Sequence, residues 1–315
     1  MDKILQISGL KKYFKTPKGM LHAVDDITFS INRAETLGVV GESGCGKSTL
    51  GRTIIGLLDA TSGKIVFDGK DITHIRSKEL MPLHQKMQMI FQDPFASLNP
   101  RMSISEAIEE GLIIHRVCTS KEERKKRVTE LMDTVGLAQR LANSYPHELD
   151  GGRRQRIGIA RALSLNPSFI VCDEPVSALD VSIQAQILNL MQDLQEERNL
   201  TYMFITHNLS VVKHISNEIL VMYLGQMVEK CSSEELFANT LHPYTKALLS
   251  AIPTINLDKR GQRMLLKGEI SSPINPKEGC RFSARCPNVK DICLNQDPVI
   301  REVSPNHFVG CHCVM

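Results

Sequence analysis

The stretch GESGCGKST at residues 41–49 fits the pattern G-x-x-x-x-G-K-[ST]. The apolar run TLGVVG at 36–41 leads into this stretch. Its last residues begin the segment KSTLGRTIIGLL at 47–58, in which the apolar residues have helical spacing. A buried strand, a glycine-rich turn and a helix form a phosphate-binding loop, because glycines let backbone N–H groups converge on phosphates at a helix N-terminus. The pattern predicts that Lys47 reaches the β- and γ-phosphates of a nucleotide and that Ser48 is a Mg²⁺ ligand. The residues predicted to contact the nucleotide in this loop are Gly41, Ser43, Gly44, Cys45, Gly46, Lys47, Ser48 and Thr49.

Strand-length apolar runs alternate with helical patterns along the chain. SFIVCDE at 168–174 and TYMFITH at 201–207 end in polar residues, and apolar residues at helical intervals lie between them. This alternation predicts an α/β fold with a parallel sheet, interrupted by a helical insertion around 100–150. Ligands of such sheets bind beyond the carboxyl ends of the strands. The polar residues at those ends are Gly41, Asp173, Glu174 and His207.

Composition excludes several other classes of protein. The 315 residues are 42% apolar and 23% charged, with a net charge of +3, so neither disorder nor nucleic-acid binding is indicated. The N-terminal residues lack a secretory apolar run, and no stretch approaches the roughly 20 apolar residues of a membrane span. We therefore expect a soluble or peripherally attached cytoplasmic chain.

Four polar side chains complete a candidate hydrolytic site. In FIVCDEP, at 169–175, Asp173 is predicted to hold the Mg²⁺ shell and Glu174 to polarise the attacking water. Taken alone, the pair fits two solvated acids at a strand end equally well. His207 becomes a candidate γ-phosphate contact because it ends a sheet strand, and Gln92, ending MQMIFQ, a candidate contact to Mg²⁺ and water.

The phosphate-binding loop, Gln92, LDGGRRQR, CDEP, SALD and His207 occur in an order that resembles the ATP-binding cassette (ABC) ATPases over residues 1 to about 230. The resemblance implies a P-loop NTPase core with a mixed, RecA-like sheet, antiparallel N-terminal strands and an inserted helical subdomain at about 95–160. It makes Asp173 the Walker-B aspartate, Glu174 the catalytic glutamate and His207 the switch histidine. The D-loop ends at Asp180, and Tyr13, with Phe14 beside it, sits where the family stacks adenine on an aromatic ring. The signature loop, which contacts the partner's ATP, includes Asp150, Gly151, Gly152 and Arg153.

The signature loop departs from the family pattern L-S-G-G-Q, because Asp150 replaces the serine and Arg153 the glutamine. An ionised aspartate only accepts hydrogen bonds and repels a phosphate, whereas an arginine can pair with either anion. Two interpretations stay open: a compensated loop that supports hydrolysis, or a degenerate loop in one of two composite sites. We favour the second, which indicates a heterodimer with unequal sites.

FQDPFASLNPR at 91–101, HPYTKALLSAIP at 242–253 and a cysteine-rich tail resemble the ATPase subunits of oligopeptide/dipeptide importers. The resemblance implies an ATPase domain at 1–230, a transporter-specific C-terminal domain at 231–315, and ATP-driven peptide import. The implied partners are a second ATPase subunit, two membrane permeases and an extracytoplasmic peptide-binding protein, with the chain at the cytoplasmic face of the membrane. A nickel or other small-solute importer, a soluble non-transport ABC ATPase and a module that senses ATP without turnover are the alternatives.

Five of the nine cysteines lie in the last 36 residues. Their spacing lacks the C-x₂-C pair of common zinc ribbons, and four thiolates on loops can hold an iron–sulfur cluster. Some importer ATPases that the tail resembles carry a [4Fe–4S] cluster, so we favour a cluster over zinc or plain thiols. The predicted ligands are Cys280, Cys286, Cys293 and Cys311, with Cys313 as a substitute for the last.

Overall fold

The computed structural model describes residues 2–75, 77–252, 264, 266, 268 and 272–314. Pro253 and Met315, the end points of two predicted segments, lie outside these residues. The strands are β1 (Lys3–Thr16), β2 (Gly19–Asn32), β3 (Thr36–Val40), β4 (Ser62–Phe67), β5 (Lys70–Asp71), β6 (Met87–Ile90), β7 (Phe169–Asp173), β8 (Thr201–Thr206), β9 (Glu218–Tyr223), β10 (Gln226–Ser232), β11 (Arg301–Ser304) and β12 (His307–Val309). The helices are α1 (Lys47–Ile54), α2 (Ser77–Lys86), α3 (Pro94–Ser97), α4 (Ile104–Ile114), α5 (Lys121–Thr134), α6 (Gly151–Leu163), α7 (Val181–Arg198), α8 (Leu209–Ile215), α9 (Ser233–Ala238), α10 (Pro243–Ser250) and α11 (Asp291–Asn295).

An eight-stranded sheet in the order β11-β12-β10-β9-β3-β8-β7-β6 forms the centre of the molecule. The run from β9 to β6 is parallel, and the pairs β9–β10, β10–β12 and β12–β11 are antiparallel. The predicted parallel sheet is confirmed for β3, β7 and β8, and Gly41, Asp173 and His207 lie at the carboxyl ends of these strands. Their carboxyl ends meet at one edge, which brings these residues together.

Both faces of this sheet are buried, which explains why its strands read as continuous apolar runs. In β8, Tyr202 and Phe204 pack into the core shared with the helical insertion. Met203 and Ile205, which alternate with them, pack into the core beneath the N-terminal strands. Successive side chains of a strand point to opposite faces, so one short apolar segment contributes to two separate cores.

The N-terminal strands form a second sheet in the order β2-β1-β4-β5, all antiparallel. Its long hairpin, β1 and β2, contains register shifts, including one between the pairs of Lys12 and Tyr13. This sheet covers one face of the central sheet, and Ile7, Val24 and Phe67 are buried in the shared core. The predicted antiparallel N-terminal strands are therefore present.

Helices α3 to α6 occupy the region predicted to be a helical insertion. The start of α4 is fixed by a capping box in which Ser103 and Glu106 exchange side-chain and backbone hydrogen bonds. Ile108, Leu131 and Ile157 come from three of these helices and are fully buried together. Nowhere in the described part of the chain is a helix long and apolar enough to span a membrane.

The cysteine-rich C-terminal region contains two strands that were not predicted from the sequence. β12 pairs with β10 and β11 pairs with β12, so both strands extend the central sheet. The predicted boundary near residue 230 falls inside β10. Strands of four and three residues are too short to show an alternating apolar pattern, which explains why neither was predicted from the sequence.

Candidate active site

The phosphate-binding loop lies between β3 and α1, as the pattern GESGCGKST predicts. Gly46 caps α1 with φ of 105°, and a Cβ atom at this position would lie 1.9 Å from the carbonyl oxygen of Ala23. Only glycine fits this close approach. Gly44, with φ of 76°, faces open space. The loop therefore leaves its outer side free for a ligand while its inner side packs on β2.

Lys47 is held inside this loop. Its Nζ donates to the carbonyl oxygens of Gly41 at 2.7 Å and Glu42 at 3.0 Å, and the side chain is buried. The ammonium group is thus anchored by the backbone of the loop that it serves. A lysine that the phosphate-binding loop holds in this way is suited to contact phosphate oxygens.

Ser48 and Asp173 form the predicted Mg²⁺ pair. The Ser48 hydroxyl donates to Asp173 Oδ1 at 2.6 Å, and Arg52 lies 3.5 Å from Oδ2. Asp173 is fully buried, and its Oδ2 accepts no hydrogen bond from the described residues. Burial raises the pKa of Asp173, whereas the Ser48 hydrogen bond and the Arg52 charge lower it. A hydroxyl beside a buried carboxylate with a spare oxygen fits a hard cation with oxygen ligands, so these residues fit Mg²⁺.

Glu174, Gln92 and His207 come together beyond the strand ends. The Gln92 side-chain amide donates to Glu174 Oε2 at 3.1 Å, and His207 Nδ1 lies 3.3 Å from Glu174 Oε1. Glu174 has φ of 47°, a left-handed conformation that is rare for a non-glycine residue, and its N–H donates to the carbonyl of Ile205. Strained backbone of this kind is frequent at functional sites. The carboxylate is only partly exposed, whereas His207 is open to solvent.

The signature loop lies at the start of α6. Asp150 caps this helix by accepting the Arg153 N–H at 2.8 Å, and the Arg153 guanidinium lies 3.4 Å from the same carboxylate. Gly152 allows close packing against α7, because a Cβ there would lie 2.7 Å from the side chain of Ile183. The D-loop residue Asp180 caps α7 by accepting the Ile183 N–H. The signature loop and the D-loop therefore share one packed junction.

Tyr13 is engaged by neighbouring side chains. Its hydroxyl donates a short hydrogen bond to Asp25, and its ring stacks on His22 with a centroid separation of 3.9 Å. Burial and the Asp25 hydrogen bond raise the pKa of Tyr13. Phe14 has one cationic neighbour, the Lys12 ammonium 4.8 Å from its ring centre. The Tyr13 ring is thus occupied on one face.

The four predicted metal-binding cysteines lie within the described residues and form no disulfide bonds. Burial raises the pKa of Cys280 to about 11, and Cys293, Cys311 and Cys286 are close enough to act in the same direction. Within the ranges that the structure describes, no group of three or more His, Cys, Asp or Glu side chains is arranged to hold a metal ion.

Sequence reasoning missed the contacts that the C-terminal region makes with the nucleotide site. Arg285 forms a two-pronged ion pair with Glu42 of the phosphate-binding loop. Arg281 pairs with Asp25, the residue that holds Tyr13. The only signal in the sequence was position: these arginines directly adjoin two of the clustered cysteines.

Known families match two segments of the chain. Residues 24–177 match the ABC transporter family, and residues 228–293 match the oligopeptide/dipeptide transporter C-terminal region. The oligopeptide transport ATP-binding protein AppF of Bacillus subtilis (strain 168) is 53% identical over 323 residues, which cover 99% of this chain and 97% of that protein. The chain belongs to the ABC transporter ATPases. Within them, it carries the oligopeptide/dipeptide transporter C-terminal region.

Other ABC proteins support the assignment. The oligopeptide transport ATP-binding protein OppF of Bacillus subtilis (strain 168) is 52% identical over 98% of this chain and 96% of its own length. The ATP-binding cassette MJ0796, in a dimeric post-hydrolysis state bound to ADP and Pi, superposes with a TM-score of 0.68 at 30% identity, covering 73% of this chain and 98% of that chain. cbiO1 from Clostridium perfringens gives a TM-score of 0.68 at 29% identity, covering 76% and 92%. This ABC ATPase therefore has the cassette fold of its family.

Proposed function

We propose that this ABC ATPase hydrolyses ATP to drive the import of peptides through a membrane transporter. The observation that carries the proposal is the contact of Gln92 and His207 with Glu174, beside Lys47 and the Ser48–Asp173 pair. The peptide substrate rests on the similarity to proteins named for oligopeptide transport, which extends over nearly the whole chain. A nickel or other small-solute importer has no comparable support.

Each of these residues has a different role in hydrolysis. Lys47 binds the β- and γ-phosphates, and Glu174 accepts a proton from the attacking water as it adds to the γ-phosphorus. The bond between the γ-phosphorus and the β–γ bridging oxygen breaks in the same reaction, and ADP leaves with that oxygen. Gln92 and His207 hold the Glu174 carboxylate in place from two sides. Mg²⁺ held by Ser48 and Asp173 would neutralise charge on the phosphates.

Substitution of Glu174 tests the assignment of the base. Glu174→Gln keeps the size and shape of the side chain but removes its basicity, so we expect ATP to bind while turnover falls about a hundredfold or more. ATPase activity and ATP binding are both measured in the complete complex. An unchanged turnover number would show that another group activates the water.

The partner subunits follow from the same proposal. We propose a second, different ATPase subunit, two membrane permeases and an extracytoplasmic peptide-binding protein, with this chain at the cytoplasmic face of the membrane. Isolation of the intact complex from its source, with subunits identified by mass, tests this assembly. Recovery of the chain without any permease would favour a soluble, non-transport ABC ATPase.

The altered signature loop supports a heterodimer with unequal sites. Asp150 accepts the hydrogen bond that caps α6 and lies beside the Arg153 guanidinium. A carboxylate has no hydrogen to donate to a partner's γ-phosphate. We expect the site that uses this loop to hydrolyse ATP slowly, while the site built on Lys47 and Glu174 turns over. Separate alanine substitutions of the two P-loop lysines test the asymmetry, and equal losses of activity would refute it.

The division into an ATPase domain at 1–230 and a C-terminal domain at 231–315 stays a prediction, as does the inserted subdomain at about 95–160. Limited proteolysis with mass analysis of the fragments tests all three boundaries. Protected fragments that begin near residue 231 would support the C-terminal unit. A single protected core that includes β12 would contradict it, because β12 is paired with β10.

The [4Fe–4S] cluster on Cys280, Cys286, Cys293 and Cys311 also stays a prediction, with zinc and free thiols as alternatives. The thiol arrangement gives it no support, and no step of the mechanism uses a metal at this place. Iron, zinc and acid-labile sulfide are measured in anaerobically purified protein. About four iron and four sulfide per chain would establish the cluster, and only traces of each metal would leave free thiols.

A further inference from the structure

Glu42 brings a carboxylate into the phosphate-binding loop. Its two oxygens accept hydrogen bonds from Arg285, Nη1 to Oε2 at 2.7 Å and Nη2 to Oε1 at 3.0 Å, although 243 residues separate the two in the chain. The Arg285 side chain is 9% exposed, and the Glu42 carboxylate is 21% exposed. Two-pronged pairs of this kind fix geometry as well as charge. A residue of the C-terminal region is therefore attached to the loop that binds phosphate.

The backbone of Glu42 is also fixed. Its N–H donates to the hydroxyl of Tyr244 at 2.9 Å, and its carbonyl accepts from Lys47 Nζ at 3.0 Å. Tyr244 is fully buried against Tyr223 and Phe282, whose ring centroids lie 4.7 and 5.5 Å from its own. Side chain and backbone of Glu42 thus both depend on residues that follow the cassette in sequence.

An unpaired carboxylate in this loop would oppose nucleotide binding. The loop amides converge on a triphosphate, and like charges at such short range repel strongly where water is partly excluded. Arg285 stays charged at any physiological pH, so it cancels the Glu42 charge permanently. The Glu42 hydrogen bonds raise the pKa of Arg285 still further above its ordinary value.

A second arginine of the C-terminal region contacts the other side of the nucleotide site. Arg281 pairs with Asp25 and donates to the carbonyl of Leu224. Asp25 in turn holds the Tyr13 hydroxyl. The loop at 280–286 therefore contacts both the phosphate-binding loop and the β1–β2 hairpin.

We propose that Arg285 is a positioning residue of the ATP site, which neutralises Glu42 and fixes the start of the phosphate-binding loop. The C-terminal region thereby sets the affinity of the chain for ATP. The proposal rests on the assignment of residues 41–49 as the ATP phosphate site, and it adds a role for a region outside the cassette.

Calorimetric titration of Mg·ATP into the full-length chain tests this role, in a Glu174→Gln background that prevents turnover. We expect Arg285→Ala to weaken ATP binding about tenfold, because it leaves Glu42 charged and unpaired. Adding Glu42→Gln to Arg285→Ala removes the charge and is expected to restore affinity to within about threefold of the parent. Arg33→Ala is the control: Arg33 also forms ion pairs through its guanidinium group, with the separate carboxylates of Asp2 and Asp68, and we expect its loss to leave ATP affinity unchanged.

The rescue separates charge neutralisation from a merely structural role. A double variant that binds ATP as weakly as Arg285→Ala would overturn the proposal, and so would unaltered binding by Arg285→Ala. Should Arg285→Ala fail to fold, as judged by circular dichroism, Arg285→Gln with and without Glu42→Gln gives the same comparison. A parent chain that bound no ATP would instead refute the assigned phosphate site.

Titration with ADP adds a second readout. ATP carries more negative charge than ADP, so an unpaired Glu42 carboxylate repels ATP more strongly. We therefore expect Arg285→Ala to weaken ATP binding more than ADP binding. Equal losses for the two nucleotides would contradict an electrostatic role for Arg285.

Discussion

The side-chain amide of Gln92 donates a hydrogen bond to Glu174 Oε2 across 3.1 Å, although 82 residues separate them in the chain. Gln92 follows β6, an edge strand of the central sheet, and Glu174 follows its neighbour β7. The parallel pairing of these strands brings the two side chains together. This contact joins the residue assigned as base to a loop that leads directly into the helical insertion.

Removal of the Gln92 amide is expected to slow hydrolysis. Gln92→Ala should lower the turnover number about tenfold or more, because a hydrogen bond to a charged group contributes roughly 1.5–3 kcal/mol. The measurement is steady-state ATPase activity of the complete complex. Gln139→Ala is a matched control, since Gln139 also donates from its amide but contacts Thr129 and Asp133 of α5. Equal activities of the two variants would remove Gln92 from the mechanism.

Gly46 and Gly44 are expected to differ in their tolerance of a side chain. Gly46→Ala places a Cβ atom 1.9 Å from the Ala23 carbonyl, so the phosphate-binding loop must move and ATP binding should fall by a hundredfold or more, on the order of 3 kcal/mol. Gly44→Ala meets no neighbouring atom within 4 Å and carries only backbone strain of about 1–2 kcal/mol. ATP affinity and thermal unfolding are measured for both variants. A Gly44 variant as impaired as the Gly46 variant would contradict this explanation.

Tyr13 and Phe14 are the two candidates for the aromatic contact to the adenine base. The family resemblance assigns the adenine contact to Tyr13. The Tyr13 ring, however, already stacks on His22, and its hydroxyl donates a hydrogen bond to Asp25. Because successive residues of a strand face opposite sides, Phe14 presents its ring away from these partners. We expect Phe14→Ala to weaken ATP binding about tenfold, since stacking on a base contributes roughly 1–3 kcal/mol, and Tyr13→Ala to weaken it less. The opposite order would return the adenine contact to Tyr13.

His242 makes the stability of the fold depend on pH. Burial lowers the pKa of His242 to about 4, so the folded state holds the ring neutral where the unfolded chain binds a proton. Stability from this residue is complete above a pH of about 6.5 and is lost as the pH falls toward 4. The expected decrease in the free energy of unfolding from pH 7 to pH 5 is about 2 kcal/mol.

Urea denaturation at both pH values measures this dependence. The control is His242→Asn, which can still cap α10 through its side chain but cannot be protonated. We expect the variant to lose less stability than the parent between pH 7 and pH 5. An identical loss would assign the dependence to other groups.

Local patterns were sufficient for the catalytic half of the site. The loop at 41–48, Asp173 and Glu174 each stand at the end of a buried strand, and parallel strands place such ends at one edge. The sequence predicted Gln92 as a contact to Mg²⁺ and water and His207 as a γ-phosphate contact, but it did not predict that both side chains contact Glu174. The pairing of β12 with β10 was not predictable, because three-residue strands carry too little pattern.

The sequence by itself determined the cassette fold, the phosphate-binding loop and the identity of the candidate base, because each depends on a few consecutive residues with fixed backbone requirements. Only the tertiary structure decided what surrounds the loop. The motif places no requirement on the residue at Glu42. Its pairing with Arg285, 243 residues away, is visible only in the folded chain. Ion pairs between distant segments depend on how the segments pack, and the local sequence around one partner does not predict the other.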